Sequence, residues 1–176
     1  YYNKPAENEK AFTEDGYFRT GDAGRMEGNT LFFTERIKDL YKTSNGKYIA
    51  PQAIEMVMSG DQYIEQIAVI GDQRKFVSAL IVPAYSLLEK YAEEKGLAVG
   101  SREELVRNKE VLRLIETHIE ENQKNLASYE KIKRFTLLSE PFTMGSELTD
   151  TLKLRRSVIL KKYADSIEKM YEEASN

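Results

Sequence analysis

Apolar positions along the chain switch between two periods, and each switch marks an element. Pro51 opens a run in which Ile54, Val57 and Met58 fall at i, i+3 and i+4, with Gly60 as a stop. That spacing puts one apolar face on an α-helix, with proline at a first-turn position where its missing N–H costs nothing. Ile67-Ala68-Val69-Ile70 and Phe76 to Val82 are denser in apolar residues and are separated by a Gly71-Asp72-Gln73-Arg74 turn. They predict two buried strands on a short connection, the second ended by Pro83. Helical spacing returns at Leu87, Leu88, Tyr91 and Ala92, closed by Gly96. Ser101-Arg102-Glu103-Glu104 is a capping box, in which hydroxyl and carboxylate each satisfy an orphan N–H. It predicts a helix carrying Leu105, Leu112, Ile115 and Ile119 to about Lys124. Ile132 to Leu138 predicts a third strand, stopped by Ser139-Glu140-Pro141. Residues 142–154 are Gly- and Thr-rich and read as irregular, and Val158, Ile159, Tyr163, Ile167 and Met170 set a terminal helix.

The start of the chain is weaker in pattern. Residues 1–16 are polar and predict a surface loop or short helix. Tyr17–Thr20 and Thr30–Thr34 are β-prone runs about a Gly28-Asn29 turn pair, which predicts a hairpin over about 17–34. Two strands alone are marginal in water, so this hairpin needs a partner surface. The element order interleaves strands and helices without regular βαβ spacing. The expected class is α+β: a small mixed sheet of about three strands packed with helices, preceded by the hairpin.

Composition narrows the function classes. Of 176 residues, 41% are hydrophobic and 31% charged, an ordinary globular balance. The formal net charge is −3, so no basic field argues for nucleic acid. There is no cysteine, which excludes disulfides and thiolate metal sites. His118 stands alone as a histidine and cannot make a metal site by itself. No apolar run approaches the roughly 20 residues needed to span a bilayer. The chain opens Tyr1-Tyr2-Asn3 without an initiator Met and reads as a piece of something longer, or a processed product.

The stretch from Thr34 to Glu55 does not look like core. Arg36, Lys38, Asp39, Lys42 and Lys47 crowd together there, and such charges need water, each other or a ligand. Four segments resemble, in order and rough spacing, the adenylate-forming (acyl-activating) enzyme superfamily. Asp15-Gly16-Tyr17-Phe18-Arg19-Thr20-Gly21-Asp22 resembles the segment that ends its large N-terminal domain, and Arg36-Ile37-Lys38-Asp39 resembles its inter-domain hinge. Ser44 to Glu55 resembles the loop and helix that follow. Phe142 to Arg156, with Leu148-Thr149-Asp150-Thr151-Leu152-Lys153-Leu154, resembles the C-terminal lysine motif in its long-chain acyl-CoA synthetase form.

The resemblance implies roles residue by residue. Asp22 would hold the ribose hydroxyls of an adenylate, as a carboxylate can accept two hydrogen bonds from a vicinal diol; alone, it reads as a turn aspartate. Arg36 would contact the ribose and phosphate region; alone, it reads as a surface partner of Glu35 or Asp39. Lys38 would be the hinge, or a plain exposed lysine. Gly46 would line a pantetheine tunnel, or serve a left-handed turn, and Lys47 and Tyr48 would face nucleotide or CoA phosphates. Lys153 would be the catalytic lysine, or a solvated member of the Arg155, Arg156, Lys161, Lys162 run. The Lys131–Arg134 and Arg155–Lys162 clusters are expected to be solvated faces, with CoA phosphates or an anionic membrane as alternatives.

The implied division is residues 1–36 as terminal strands of the N-terminal AMP-binding domain and 37–176 as the mobile C-terminal domain. The implied activity is ATP-dependent ligation of a long-chain fatty acid to CoA through an acyl-adenylate. ATP/AMP, CoA and Mg2+ take part, with the Mg2+ site mainly in the missing N-terminal domain. The Gly/Ser/Thr-rich phosphate loop and acyl pocket that this needs are absent from these residues, so the chain alone is expected to be inactive. The expected setting is cytoplasmic, with peripheral membrane contact as an option. Two alternatives stand beside this: a non-catalytic module binding a partner or acyl carrier through Ser44–Tyr48, and an adenylating enzyme for a different carboxylic acid.

Overall fold

The structure, a computed structural model, describes residues 2–172, and not the side chains of Thr34, Glu35 and Lys38. The chain divides into two compact units, Tyr1–Leu40 and Tyr41–Asn176.

In the first unit, helix α1 (Pro5–Ala11) starts on a proline. The loop after it is closed by a Phe12–Phe18 bridge whose rings meet edge-on, with centroids 5.5 Å apart. Strands β1 (Asp22–Glu27) and β2 (Thr30–Arg36) then form an antiparallel hairpin. Tyr17–Thr20 is therefore not its first strand. The Gly28-Asn29 turn joins Glu27 to Thr30, and pairing runs back from there to Asp22 opposite Arg36. Turn geometry fixes a hairpin's register, so the more β-prone run at 17–20 falls outside it. Gly24 sits at a register shift, where an added Cβ would lie 2.9 Å from the Phe32 carbonyl oxygen. Met26, Leu31 and Phe33 remain exposed within this unit. A 3₁₀ turn, Ile37–Asp39, follows β2, with Arg36 and Leu40 extended on either side.

The second unit is built on a three-stranded sheet in the order β5-β6-β7. Strand β5 (Ile64–Ile70) pairs antiparallel with β6 (Val77–Pro83), and β6 pairs parallel with β7 (Ile132–Leu137). Every residue of β6 is buried, as its continuous apolar run predicts for a central strand. Its one polar side chain is satisfied, since the Ser78 hydroxyl donates to the Tyr171 oxygen at 2.9 Å. The parallel β6–β7 step needs a long crossover. Helices α3 (Tyr85–Glu94), α4 (Arg102–Leu105) and α5 (Lys109–Asn122) supply it.

Helix α2 (Pro51–Met58) packs on β5 through Ile54 and Met58. Val111, Ile115 and Ile119 on α5 are buried at a four-residue repeat. Tyr85 at the start of α3 donates to the Leu138 carbonyl at 2.9 Å, and burial pushes its phenol up to about 12.

The single helix expected after Ser101 is two. Ser101 caps the short α4, and Asn108 opens α5 by accepting from the Glu110 N–H at 2.9 Å. An asparagine side chain that caps the following N–H groups ends one helix and begins the next. The capping-box glutamate also differs from expectation: Glu104 accepts from the Gly100 N–H at 2.7 Å. The terminal helix likewise divides at Tyr163 into α6 (Arg156–Lys162) and α7 (Ala164–Glu172). Two short strands, β3 (Tyr41–Lys42) and β4 (Tyr48–Ile49), pair across the Ser44–Gly46 turn. Among the described residues no helix is long and apolar enough to cross a membrane.

Candidate active site

The candidate residues fall into three places. In the first unit, β1–β2 register sets Asp22 opposite Arg36, and the Arg36 Nε lies 3.5 Å from the Asp22 carboxylate. Arg36 is thus paired with Asp22, fourteen positions away in sequence. Both side chains are exposed, and the Asp22 N–H bonds the Thr20 hydroxyl at 3.1 Å. An exposed pair of this kind contributes little to stability. It leaves an acidic and a basic group side by side with spare hydrogen-bonding capacity. The Lys38 backbone forms the middle of the 3₁₀ turn, and its side chain lies outside the described residues.

In the second unit, Gly46, Lys47 and Tyr48 share the β3–β4 turn. Gly46 has φ 76°, so glycine is required there for its backbone conformation. An added Cβ would meet no atom within 4 Å. The turn is closed by Thr43 N–H to Lys47 O at 2.9 Å, Lys47 N–H to Thr43 Oγ1 at 3.1 Å and Gly46 N–H to Thr43 O at 2.9 Å, and it is tied to the β5–β6 connection by Ser44 N–H to Arg74 O at 2.9 Å and the Asn45 amide to Lys75 O at 3.3 Å. Lys47 and Tyr48 are exposed, with the Lys47 ammonium 5.7 Å from the Tyr129 ring centre.

Lys153 stands on a separate hairpin formed by residues 142–155. The segment is irregular, as expected, with no strand or helix among the described residues between Leu137 and Arg156, and its second half turns back on itself at one antiparallel bridge. Bridges Met144–Leu148 and Leu148–Leu154 close the segment, and Leu148 is buried beneath it. Thr149 and Lys153 are tied reciprocally: the Thr149 N–H donates to Lys153 O at 2.9 Å, and the Lys153 N–H to Thr149 Oγ1 at 3.1 Å. Leu152, just before the lysine, adopts φ 60°. A bulky residue in this left-handed region is strained and persists only where its surroundings over-determine it. The Lys153 side chain itself is exposed.

What over-determines the hairpin is buried charge. Gln66 on β5 clasps its entry, accepting from the Phe142 N–H at 2.7 Å and donating to the Phe142 carbonyl at 3.2 Å. Glu147 is fully buried and accepts from the Thr143 N–H at 3.1 Å, the Thr143 hydroxyl at 3.3 Å and the Lys162 ammonium. Burial alone would push the Glu147 carboxyl up. The Lys162 bond and the backbone N–H groups overcome this and hold it at about 2. At the exit, Arg156 forks onto Glu55 of α2 at 2.9 and 2.8 Å, and Glu55 also accepts from the Val69 N–H at 2.8 Å. Removing one member of such a part-buried pair strands the other and costs about 3 kcal/mol.

The sequence reading missed these anchors. Arg156 and Lys162 belong to a basic run expected to be solvated; Arg156 is instead part-buried against Glu55, and Lys162 stays half-exposed while its ammonium meets buried Glu147. Nothing local distinguishes them from the exposed Arg155 and Lys161. Among the described residues no group of three or more His, Asp or Glu comes together to hold a metal ion.

The long-chain-fatty-acid–CoA ligase 5 of Mus musculus is 34% identical over 98% of this chain and 26% of its own length. The long-chain-fatty-acid–CoA ligase FadD15 of Mycobacterium tuberculosis is 32% identical over 93% of this chain and 28% of its own. The chain thus spans about a quarter of the length of the curated relatives it matches. Among solved structures, the A domain of carboxylic acid reductase from Segniliparus rugosus, in complex with AMP and a co-purified carboxylic acid, superposes with a TM-score of 0.77. It is 25% identical, over 99% of this chain and 26% of that one. The sequence model of one family, described as AMP-binding enzyme C-terminal domain, matches residues 38–175. Residues 38–175, which include the three-stranded mixed sheet, therefore place this chain in the AMP-binding enzyme C-terminal domain family, to which it belongs.

Proposed function

We propose that this chain is the C-terminal part of an ATP-dependent long-chain fatty-acid–CoA ligase. Lys153 carries the first half-reaction. Its ammonium bridges the substrate carboxylate and the α-phosphate, offsetting charge as the carboxylate oxygen attacks phosphorus and pyrophosphate leaves. Asp22 accepts from the ribose hydroxyls and Arg36 donates to the ribose and phosphate region. The domain then turns about Lys38, withdrawing Lys153 and presenting the Gly46 turn, where the CoA thiol passes close to backbone. The thiol sulfur attacks the acyl carbon, AMP leaves, and Lys47 and Tyr48 face phosphate groups.

The observation that carries this reading is Lys153: an exposed ammonium on a hairpin whose backbone is fixed from three sides. A solvated surface lysine needs no such support. The short 3₁₀ turn between extended residues supports Lys38 as the joint, and the names of the relatives support the long-chain acid and the CoA acceptor. On this reading residues 1–36 belong to the large domain, whose remainder covers Met26, Leu31 and Phe33. The likeness to a carboxylic acid reductase A domain favours a second reading, adenylation of another acid for a different acceptor.

The full-length protein containing this chain is expected to form acyl-CoA, AMP and pyrophosphate from ATP, a long-chain fatty acid and CoA. The 176-residue chain alone is expected to form none. Acyl-adenylate without thioester from the full-length protein would favour the second reading, and acyl-CoA from the chain alone would contradict the division of labour.

A further inference from the structure

Glu147 is the one carboxylate in the chain whose side chain is wholly shielded from solvent among the described ion pairs, and it lies in a hairpin at the surface. An apolar residue of similar size would fill that space without the cost of desolvating a charge. The carboxylate is therefore better explained by what it fixes. It draws together three parts of the chain: the Thr143 end of the hairpin, its own turn, and Lys162 on the last turn of α6. The Glu147 carbonyl completes the frame by accepting from the Arg155 N–H at 2.7 Å. Arg155 in turn donates to the Gly145 and Ser146 carbonyls at 3.0 and 3.2 Å. From this frame the path to Lys153 is short and stiff. It runs through buried Leu148, the Leu148–Leu154 bridge and the reciprocal Thr149–Lys153 bonds, with Leu152 held at positive φ.

We infer that the Glu147–Lys162 pair is a positioning device for the adenylation step, setting the height and direction of the Lys153 ammonium without touching substrate. The inference rests on the reading of Lys153 given above. The physical reason is that Lys153 has a flexible four-carbon stem, and a stem of this kind delivers its charge accurately only from a fixed base. Misplacement of a reacting group by about 1 Å can cost about a hundredfold in rate. A pair that spans the hairpin and α6 removes that freedom at the backbone. Because Glu147 is ionised far below any working pH, the device is always set and does not act as a pH switch.

The test is carried out in the full-length protein, with the two half-reactions measured apart: pyrophosphate release on adenylate formation, and thioester formation from supplied acyl-adenylate and CoA. Lys162→Met is expected to lower kcat for adenylation by about tenfold or more, with KM for ATP and the thioester step little changed. Lys162→Arg, which keeps a cation within reach of Glu147, is expected to restore most of the loss. Should Lys162→Met fail to fold, Glu147→Gln, which keeps an acceptor for Thr143 but loses the ion pair, decides in the same way. A folded variant with normal adenylation, or equal loss in both half-reactions without rescue by arginine, would overturn the inference. Lys153→Ala, measured alongside, separates the two levels. If it spares adenylation, the reading of Lys153 fails; if it removes adenylation and the Lys162 and Glu147 variants do not, only the positioning role fails.

Discussion

Two hairpins in the second unit carry candidate chemistry, and both are tied to neighbouring segments, the first through backbone and amide groups and the second through ion pairs as well. The Gly46 turn is closed by its own backbone and the Thr43 hydroxyl and is tied to the β5–β6 connection, where the Ser44 N–H donates to the Arg74 carbonyl at 2.9 Å and the Asn45 amide to the Lys75 carbonyl at 3.3 Å. The Lys153 hairpin is anchored from outside itself, by Gln66 on β5, Lys162 on α6 and, at its exit, Glu55 on α2. The difference teaches what each can be asked to do. A glycine turn held by backbone and amide bonds presents backbone to a passing ligand. A hairpin fixed by buried charge presents one side chain from a defined base. Apart from its Cα hydrogen, Gly46 offers only backbone to a ligand, whereas Lys153 offers a full positive charge and must be aimed.

The contrast can be broken from its strong side. The Glu147 carboxyl is held at about 2 in the folded chain, against an ordinary 4.5. A depressed folded pKa contributes stability that is fully present above the unfolded value and is lost as pH falls from about 4.5 towards 2. Glu147→Gln should therefore destabilise the chain at neutral pH and flatten the acid limb of its stability curve, as followed by urea unfolding from pH 7 to pH 2. An unchanged acid limb would mean that the buried pair does not anchor the hairpin. The weak side can be sharpened by Gly46→Ala. The added methyl meets nothing, so the cost is that of a left-handed backbone alone, about 1 kcal/mol. A fall of several kcal/mol would show that the substitution also disturbs the bonds from Ser44 and Asn45 to the β5–β6 connection.

The sequence made the core legible and the anchors not. The three sheet strands, the proline start of α2 and the buried face of α5 all follow from apolar spacing, which reports burial directly. The hairpin at 22–36 was legible from Gly28-Asn29, but its first strand was placed too early, because β-propensity at Tyr17–Thr20 is outweighed by the register that the turn imposes. The breaks at Asn108 and Tyr163 were hidden because apolar periodicity continues across them. The candidate residues themselves were legible through resemblance. Their supports were not. Glu147 and Lys162 lie fifteen positions apart and Glu55 and Arg156 one hundred and one, so the pairing exists only once the chain is folded. A basic run such as Arg155–Lys162 reads as solvated because no local pattern tells a paired cation from a free one.

The most direct measurement is the half-reaction balance of Lys153→Ala in the full-length protein. Adenylate formation from ATP and a long-chain fatty acid is expected to fall by at least about a hundredfold. Thioester formation from supplied acyl-adenylate and CoA should stay close to that of the parent protein. Equal loss in both half-reactions, or intact adenylation, would contradict it.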